Sequence, residues 1–149
     1  MDVDVDKILS APKRVWAARP GASAEELDAL IAAIPCPVSP LLIALLRFSN
    51  GGEGDLALPP RFFVLDSVAE ILDSLNDRFL TEQFPGFVFF GGNGGLERFA
   101  LDLNSAVPPF PVVMIDPIAG PESAMQIAPD FSVFVEAIGL EYHDEHDDA

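Results

Sequence analysis

The stretch FPGFVFFGGNGGLERFALDL, residues 84–103, decides the fold that we predict for this chain. Residues 87–90 form a continuous run of apolar residues that favour strands. Residues 91–95 are four glycines around one asparagine, and an Asn-Gly pair is typical of a tight hairpin turn, since both central residues need positive φ. Apolar and polar residues then alternate over 98–103, which is the period of a half-buried strand. We therefore predict a two-stranded antiparallel hairpin at the centre of a sheet.

The same glycines invite comparison with phosphate-binding loops. A Walker loop requires a Gly-Lys pair followed by Ser or Thr, and these residues do not follow here. A dinucleotide-binding fingerprint needs a glycine three residues after Gly94, where this chain has Glu97, whose charge would also repel phosphate. We therefore predict that Gly92, Asn93, Gly94 and Gly95 form a structural turn.

Capped helices and further apolar strands flank this hairpin. Ser23 and Ser39 precede apolar runs at positions typical of helix N-caps, and Asn50, Gly51 and Gly52 follow the second run as a structural turn. The predicted helices cover about 23–34, 40–48, 67–75 and 131–138, and the predicted strands lie near 61–65, 87–91, 97–103 and 111–115. This pattern predicts a single α+β domain: a mainly antiparallel sheet with N-terminal helices, a middle helix and a C-terminal helix.

The ends of the chain differ from its centre in composition. Residues 1–20 have little periodicity and contain half of the basic residues, so we predict an N-terminal arm there and the α+β domain over 21–140. Residues 141–149, EYHDEHDDA, are rich in acids and have no apolar pattern, which predicts a disordered tail.

The charge of the chain restricts its partners. It has 24 acidic and 8 basic residues and a net charge of −16. Nucleic acid is a poor partner for such a surface, because its binding depends on neutralising phosphates, so we predict none. A cationic protein is a better partner, although an acidic surface can also serve solubility alone.

Several features predict a cytoplasmic protein without a membrane segment. Cys36 is the single cysteine, so no internal disulfide can form, as is usual in a reducing compartment. The first ten residues are acidic and do not resemble a signal peptide. The longest aliphatic run, residues 41–46, is far shorter than the roughly 20 residues of a membrane helix.

The residue types that perform catalysis are sparse. His143 and His146 lie in the predicted tail, and Cys36 lies between two prolines without a nearby histidine. His143 and His146 have i, i+3 spacing, which would permit weak metal binding, but a solvated tail is the simpler interpretation. The carboxylates that could meet in an acid/base pair are Glu53, Asp55, Glu97, Asp102 and Asp116, and nothing in their spacing selects a pair. We predict no catalytic residue, no metal and no cofactor.

Three segments together carry a resemblance to a known family. They are SNGGEG at residues 49–54, FGGNGGLERFALDL at 90–103 and PVVMIDPIAG at 111–120. In this order and spacing they resemble the SUKH superfamily, over roughly residues 24–139. That superfamily contains fungal cell-wall-synthesis regulators and many bacterial immunity proteins.

The resemblance implies a binding module rather than an enzyme. Its bacterial members suggest an immunity protein that neutralises a cognate polymorphic toxin by direct contact, and a nuclease is one candidate for that toxin. The charge supports this independently, because a nuclease site attracts phosphate and an acidic protein can occupy it. A regulatory or scaffold protein without a toxin partner is the alternative, and an enzyme ranks last.

Exposed acids on loops are the residues that we predict to contact a cationic partner. The loop expected after the second helix offers Glu53 and Asp55, and the turn expected after the last strand offers Asp116 and Glu122. Loops on a rigid scaffold are the usual places for recognition. We predict that these four residues contribute to partner binding.

Overall fold

The structure is a computed structural model that describes residues 4–34, 39–104 and 109–141. The predictions about Cys36, His143, His146 and the acidic tail from residue 142 lie outside the described residues. The described helices are α1 (Val5–Leu9), α2 (Ala24–Ala33), α3 (Pro40–Phe48), α4 (Val68–Asn76), α5 (Arg78–Gln83) and α6 (Phe131–Ala137). The described strands are β1 (Trp16–Ala18), β2 (Gly52–Asp55), β3 (Phe62–Leu65), β4 (Phe87–Gly92), β5 (Arg98–Asp102), β6 (Val112–Ile115) and β7 (Met125–Ala128).

The seven strands form one sheet whose spatial order follows the chain order, and every neighbouring pair is antiparallel. Short connections join β2 to β3 and each successive pair from β4 to β7, as antiparallel neighbours allow, whereas α2 and α3 lie between β1 and β2. The strands β3 and β4 remain neighbours although α4 and α5 lie between them in sequence. The predicted α+β fold with a mainly antiparallel sheet is confirmed, and the four predicted strands correspond to β3–β6.

Two segments form elements that the sequence pattern did not predict. Residues 4–18, predicted as part of an arm, contribute α1 and β1, and Val5 and Leu9 are buried in the core. Residues 52–55, expected as a loop, form strand β2 between β1 and β3. Glycine at position 54 permits this close pairing, because a Cβ there would lie 2.4 Å from the carbonyl oxygen of Val15.

The two faces of the sheet bury different clusters. One face, which we call the helix side, packs against α1–α4 and α6 in the main core. The opposite face, which we call the far side, carries a smaller cluster: Phe84, Phe89, Ala100, Val113 and Ile115. The prediction of a half-buried β5 was therefore wrong. Phe99, Ala100 and Leu101 are all buried, because Phe84, just after α5, and its neighbours cover the far side there.

Phenylalanine rings fix α6 against the centre of the sheet. The Phe134 ring of α6 lies 4.9 Å from that of Phe63 on β3 and 5.6 Å from that of Phe90 on β4, both edge to face. The Phe63 ring also stacks on Phe99 of β5 at 5.7 Å. Such pairs stabilise a core beyond the apolar area that they bury. The hairpin predicted from residues 84–103 thus lies at the centre of the main core.

The glycine-rich turn is longer than the predicted Asn-Gly turn. The last cross-strand pair joins Gly92 to Arg98, so residues 93–97 form the connection. Gly94 has a φ of 83°, whereas Asn93 does not lie in the positive-φ region, and the two-residue geometry was therefore wrong. The Asn93 side chain instead accepts a hydrogen bond from Gly95 N and donates one to Glu97 Oε1.

The turn after α3 is organised by Ser49, whose side chain is fully buried. Its hydroxyl accepts hydrogen bonds from Trp16 Nε1 and from the backbone N–H of Arg19, and it donates one to the carbonyl of Gly51. Gly51 has a φ of 104° and Gly52 a φ of 119°. Ser49 therefore fixes strand β1 to the turn that leads into β2.

Candidate functional site

The far side of the sheet is covered over β4–β6 and open over β2 and β3. Leu80 and Phe84 pack over the far-side cluster of β4–β6. On β3, by contrast, Phe62 and Val64 alternate with buried residues and are only half-buried, and Glu53 on β2 is exposed. The uncovered far side of β2 and β3 therefore exposes side chains of a rigid sheet to solvent.

Each acid on β2 has an apolar neighbour on β3. The strand register places Glu53 opposite Val64 and Asp55 opposite Phe62. Side chains at such directly opposed positions have Cβ atoms about 4.5–5.5 Å apart on the same face. On the far side of β2 and β3, two carboxylates thus lie beside two partly exposed apolar side chains.

The β4–β5 turn extends this surface. A Cβ at Gly94 would lie 3.4 Å from Phe62 Cδ2 and 3.5 Å from Val64 Cγ2, so the turn lies directly against these side chains. Leu96 in the same turn is 48% exposed. We call Glu53, Asp55, Phe62, Val64 and the turn 93–97 the β2–β3 patch.

Arg98 lies in the same cross-strand row as Glu53 and Val64, and its guanidinium is already hydrogen-bonded. Arg98 on β5 donates to Asp66 Oδ2 at 2.6 Å and to the carbonyl of Gly91 at 2.9 Å. Burial raises the pKa of Asp66 above its ordinary value, and the Arg98 guanidinium acts in the opposite direction without cancelling this shift. The pair ties the end of β3 to the β4–β5 hairpin.

The second predicted pair of acids lies apart from the first. Asp116 and Glu122 belong to the connection between β6 and β7, which is not the turn after the last strand, because β7 follows it. Glu53 on β2 and Ile115 on β6 share a cross-strand row, four strand spacings apart, or roughly 19 Å. The structure therefore does not bring the two pairs together.

Asp116 and Glu122 also differ from each other. The Asp116 carboxylate accepts hydrogen bonds from the backbone N–H groups of Ile118 at 2.9 Å and Ala119 at 3.2 Å. Glu122 lies in a short 3₁₀ turn, Pro121–Ser123, and is exposed. Asp116 thus holds its own loop, while Glu122 is available to solvent.

The described residues contain little that resembles a reaction centre. No group of three or more His, Cys, Asp or Glu among them is arranged to hold a metal ion. A depression of about 280 Å³ between α4, α5 and β4 is lined mainly by apolar side chains, with Ser74 and Thr81 as hydroxyls. No helix within the described ranges is long and apolar enough to cross a membrane.

The sequence pattern led to a prediction for the acids and to none for their apolar neighbours. Phe62, Val64 and Leu96 were assigned only to a strand and a turn. A signal for them was present, since all four residues of β3 are apolar and alternate strand residues face opposite sides. One face of such a strand must then be covered by another element or remain partly exposed.

Comparison with known proteins identifies the family. A model of the SMI1 / KNR4 family (SUKH-1) matches residues 21–137, from just after β1 to the last residue of α6. A search of curated proteins found no match to the chain. The matched range covers more than half of the chain and contains all three segments on which the SUKH resemblance depended, so that prediction is confirmed. The chain belongs to the SMI1 / KNR4 family (SUKH-1), and its membership supports an immunity or regulatory role in general.

Proposed function

We propose that this chain is an immunity protein that neutralises a cognate toxin by direct binding, and that the β2–β3 patch is its main contact surface. The family supports this general class of role and is generally not catalytic. The observation that carries the proposal is the pairing of Glu53 with Val64 and of Asp55 with Phe62 on the open far side of the sheet.

This arrangement suits a protein interface. Binding energy at interfaces usually comes from a few apolar or aromatic groups at the centre, surrounded by polar groups. Phe62 and Val64, with Leu96 on the neighbouring turn, supply the apolar groups, and the acids stand beside them. Because these side chains project from paired strands and a hydrogen-bonded turn, little ordering is required on binding.

The charge favours a basic partner. A net charge of −16 attracts a cationic protein and accelerates its association through electrostatic steering. A nuclease that binds phosphate is such a protein, and acids held at fixed positions can occupy its active site. A standard interface of about 800 Å² per partner is roughly 30 Å across, which exceeds the four strand spacings from β2 to the end of β6.

The test is kinetic. The partner is the toxin module encoded beside this chain's gene, purified with its catalytic residue replaced. We expect the combined change Glu53→Lys and Asp55→Lys to slow association about tenfold or more, because steering changes association rates by factors of about 10–10³. The wild-type rate should also fall as ionic strength rises from about 0.01 to 1 M, where the Debye length falls from about 30 to 3 Å.

A matched control separates position from total charge. Asp28 on α2 and Asp73 on α4 are exposed acids of the helix-side layer, so Asp28→Lys with Asp73→Lys changes the net charge equally. Equal slowing by both double variants would reject the β2–β3 patch as the contact surface.

If the wild-type chain neither binds the toxin module nor protects cells that produce it, the immunity proposal fails. A missing toxin gene beside this one would also count against it. The regulatory or scaffold alternative would then stand.

A further inference from the structure

The connection between β6 and β7 displays an unusually exposed aliphatic side chain. Ile118 is 82% exposed, more than any other large hydrophobic side chain in the described residues. Met125, at the start of β7 just beyond this connection, is 54% exposed. An exposed apolar group is common on protein surfaces. The exposure of Ile118 indicates a contact site because hydrogen bonds hold its loop in one conformation.

Hydrogen bonds within residues 116–123, which we call the 116–123 loop, fix the backbone that carries Ile118. Besides accepting from the N–H of Ile118 and Ala119, Asp116 accepts at its carbonyl from Gly120 N at 3.0 Å. The Ser123 hydroxyl accepts from Asp116 N at 2.9 Å and donates to the carbonyl of Gly120 at 2.7 Å. Pro117 and Pro121 further restrict the backbone. A loop fixed in this way presents Ile118 with little backbone ordering required on binding.

A carboxylate lies over the backbone of the same loop. Gly120 has a φ of 100°, and a Cβ at that position would lie 2.7 Å from Glu122 Oε2. The Glu122 carboxylate therefore lies over the loop backbone at Gly120, two residues along the chain from Ile118. An exposed apolar side chain on a loop that also carries a carboxylate is complementary to an apolar pocket bordered by basic groups.

We propose that Ile118 is an apolar anchor that inserts into a pocket bordered by cationic side chains on a basic partner protein. This inference rests on the proposed function, since the partner is the toxin that the chain neutralises. Charge selects this occupant over a second copy of the chain, because two copies that each carry −16 repel one another. Asp116, predicted from the sequence to contact the partner, then acts as a positioning residue for Ile118.

Equilibrium and kinetic measurements with the catalytically inactivated toxin module test the anchor. We expect Ile118→Ala to weaken binding at least tenfold, mainly through faster dissociation, since most affinity differences within one interface lie in the dissociation rate. Its melting temperature should remain that of the wild type, because the side chain is in solvent. Ile31 on α2 is 47% exposed on the helix side, so Ile31→Ala is a matched control and should bind as the wild type does.

Two variants at Asp116 separate positioning from direct contact. Asp116→Asn keeps the Oδ1 acceptor for the two backbone N–H groups, whereas Asp116→Ala removes it. If Asp116 positions the loop, the Asn variant should bind within about twofold of the wild type. The Ala variant should bind weakly and lose hydrogen-exchange protection at Ile118 and Ala119. Equal weakening by the two variants would show that the charge of Asp116 contacts the partner and would overturn its positioning role.

The outcomes distinguish this inference from the function on which it rests. If the wild-type chain does not bind the toxin module, the proposed function fails, and the anchor fails with it. If the wild type binds and Ile118→Ala shows the same affinity and dissociation rate, the anchor is rejected while the proposed function stands.

Discussion

Replacing Ser49 by alanine should weaken the fold substantially, although it removes a single oxygen atom. That oxygen serves three partners: the Trp16 indole N–H, the Arg19 backbone N–H and the Gly51 carbonyl. A buried polar group that loses its partner costs about 1–3 kcal/mol, and a group that water can reach costs less. The bond to Gly51 is buried and the other two are partly buried, so we expect Ser49→Ala to lower the free energy of unfolding by about 2–4 kcal/mol.

The single tryptophan of the chain makes this change easy to follow. Trp16 lies in β1 and donates directly to Ser49, so its fluorescence and the NMR signal of its indole N–H report on the docking of β1. Urea denaturation followed by fluorescence and by far-UV circular dichroism gives the free energy of unfolding. For a domain of this size the expected loss corresponds to a melting temperature lower by roughly 5–15 °C.

Ser10 offers a matched control, because it is exposed and its hydroxyl bonds only within the end of α1. Ser10→Ala should change the free energy of unfolding by less than about 0.5 kcal/mol. A loss below about 0.5 kcal/mol for Ser49→Ala, with an unchanged indole signal, would refute the role of Ser49 as the link between β1 and the turn after α3.

Three further substitutions test other parts of the structure. Gly94→Val should cost about 1–3 kcal/mol in urea denaturation, because φ is 83° at that position, whereas Gly95→Val, without positive φ, should cost less. Asp130→Ala should cost about 0.5–2 kcal/mol at neutral pH by removing the N-cap of α6. Hydrogen bonds from Ser132 and Val133 lower the pKa of Asp130, so this contribution is present above the unfolded pKa of about 3.9 and is lost as pH falls through the folded pKa. Arg98→Met should cost about 1–3 kcal/mol at neutral pH, less than a fully buried pair, since the Arg98 side chain is 36% exposed. The raised pKa of Asp66 makes its protonated form favourable to folding, so the Arg98→Met loss should shrink as pH falls.

Each of these expectations has a contrary result. Equal losses in free energy of unfolding for Gly94→Val and Gly95→Val would mean that the positive φ of Gly94 is not what makes that position sensitive. A cost of Asp130→Ala that does not decrease at all as the pH falls below the unfolded pKa of about 3.9 would mean that the ionised carboxylate is not what caps α6. If the loss in free energy of unfolding caused by Arg98→Met increased as the pH fell, it would not come from an unpaired, buried Asp66 carboxylate.

The sequence by itself determined the local elements of this protein. The apolar runs predicted β3–β6, α2, α3, α4 and α6, and the caps Ser23 and Ser39 marked the starts of α2 and α3, because hydrophobic periodicity and capping are properties of neighbouring residues. Three short segments in order indicated the family. The acidic composition indicated a cationic partner, which remains a proposal.

The tertiary structure alone decided where these elements place their side chains. Strand β2 has the sequence GEGD, which has no strand pattern, and it is extended because β1 and β3 pair with it on both sides. The far-side cover over Ala100 depends on Phe84, sixteen residues away in sequence. The neighbours of Glu53 and Asp55 on β3 follow from the register, and the separation of Glu122 from them follows from the strand order. Pairing and register join residues that are distant in sequence, so local pattern does not encode them, and the surface that a partner meets depends on both.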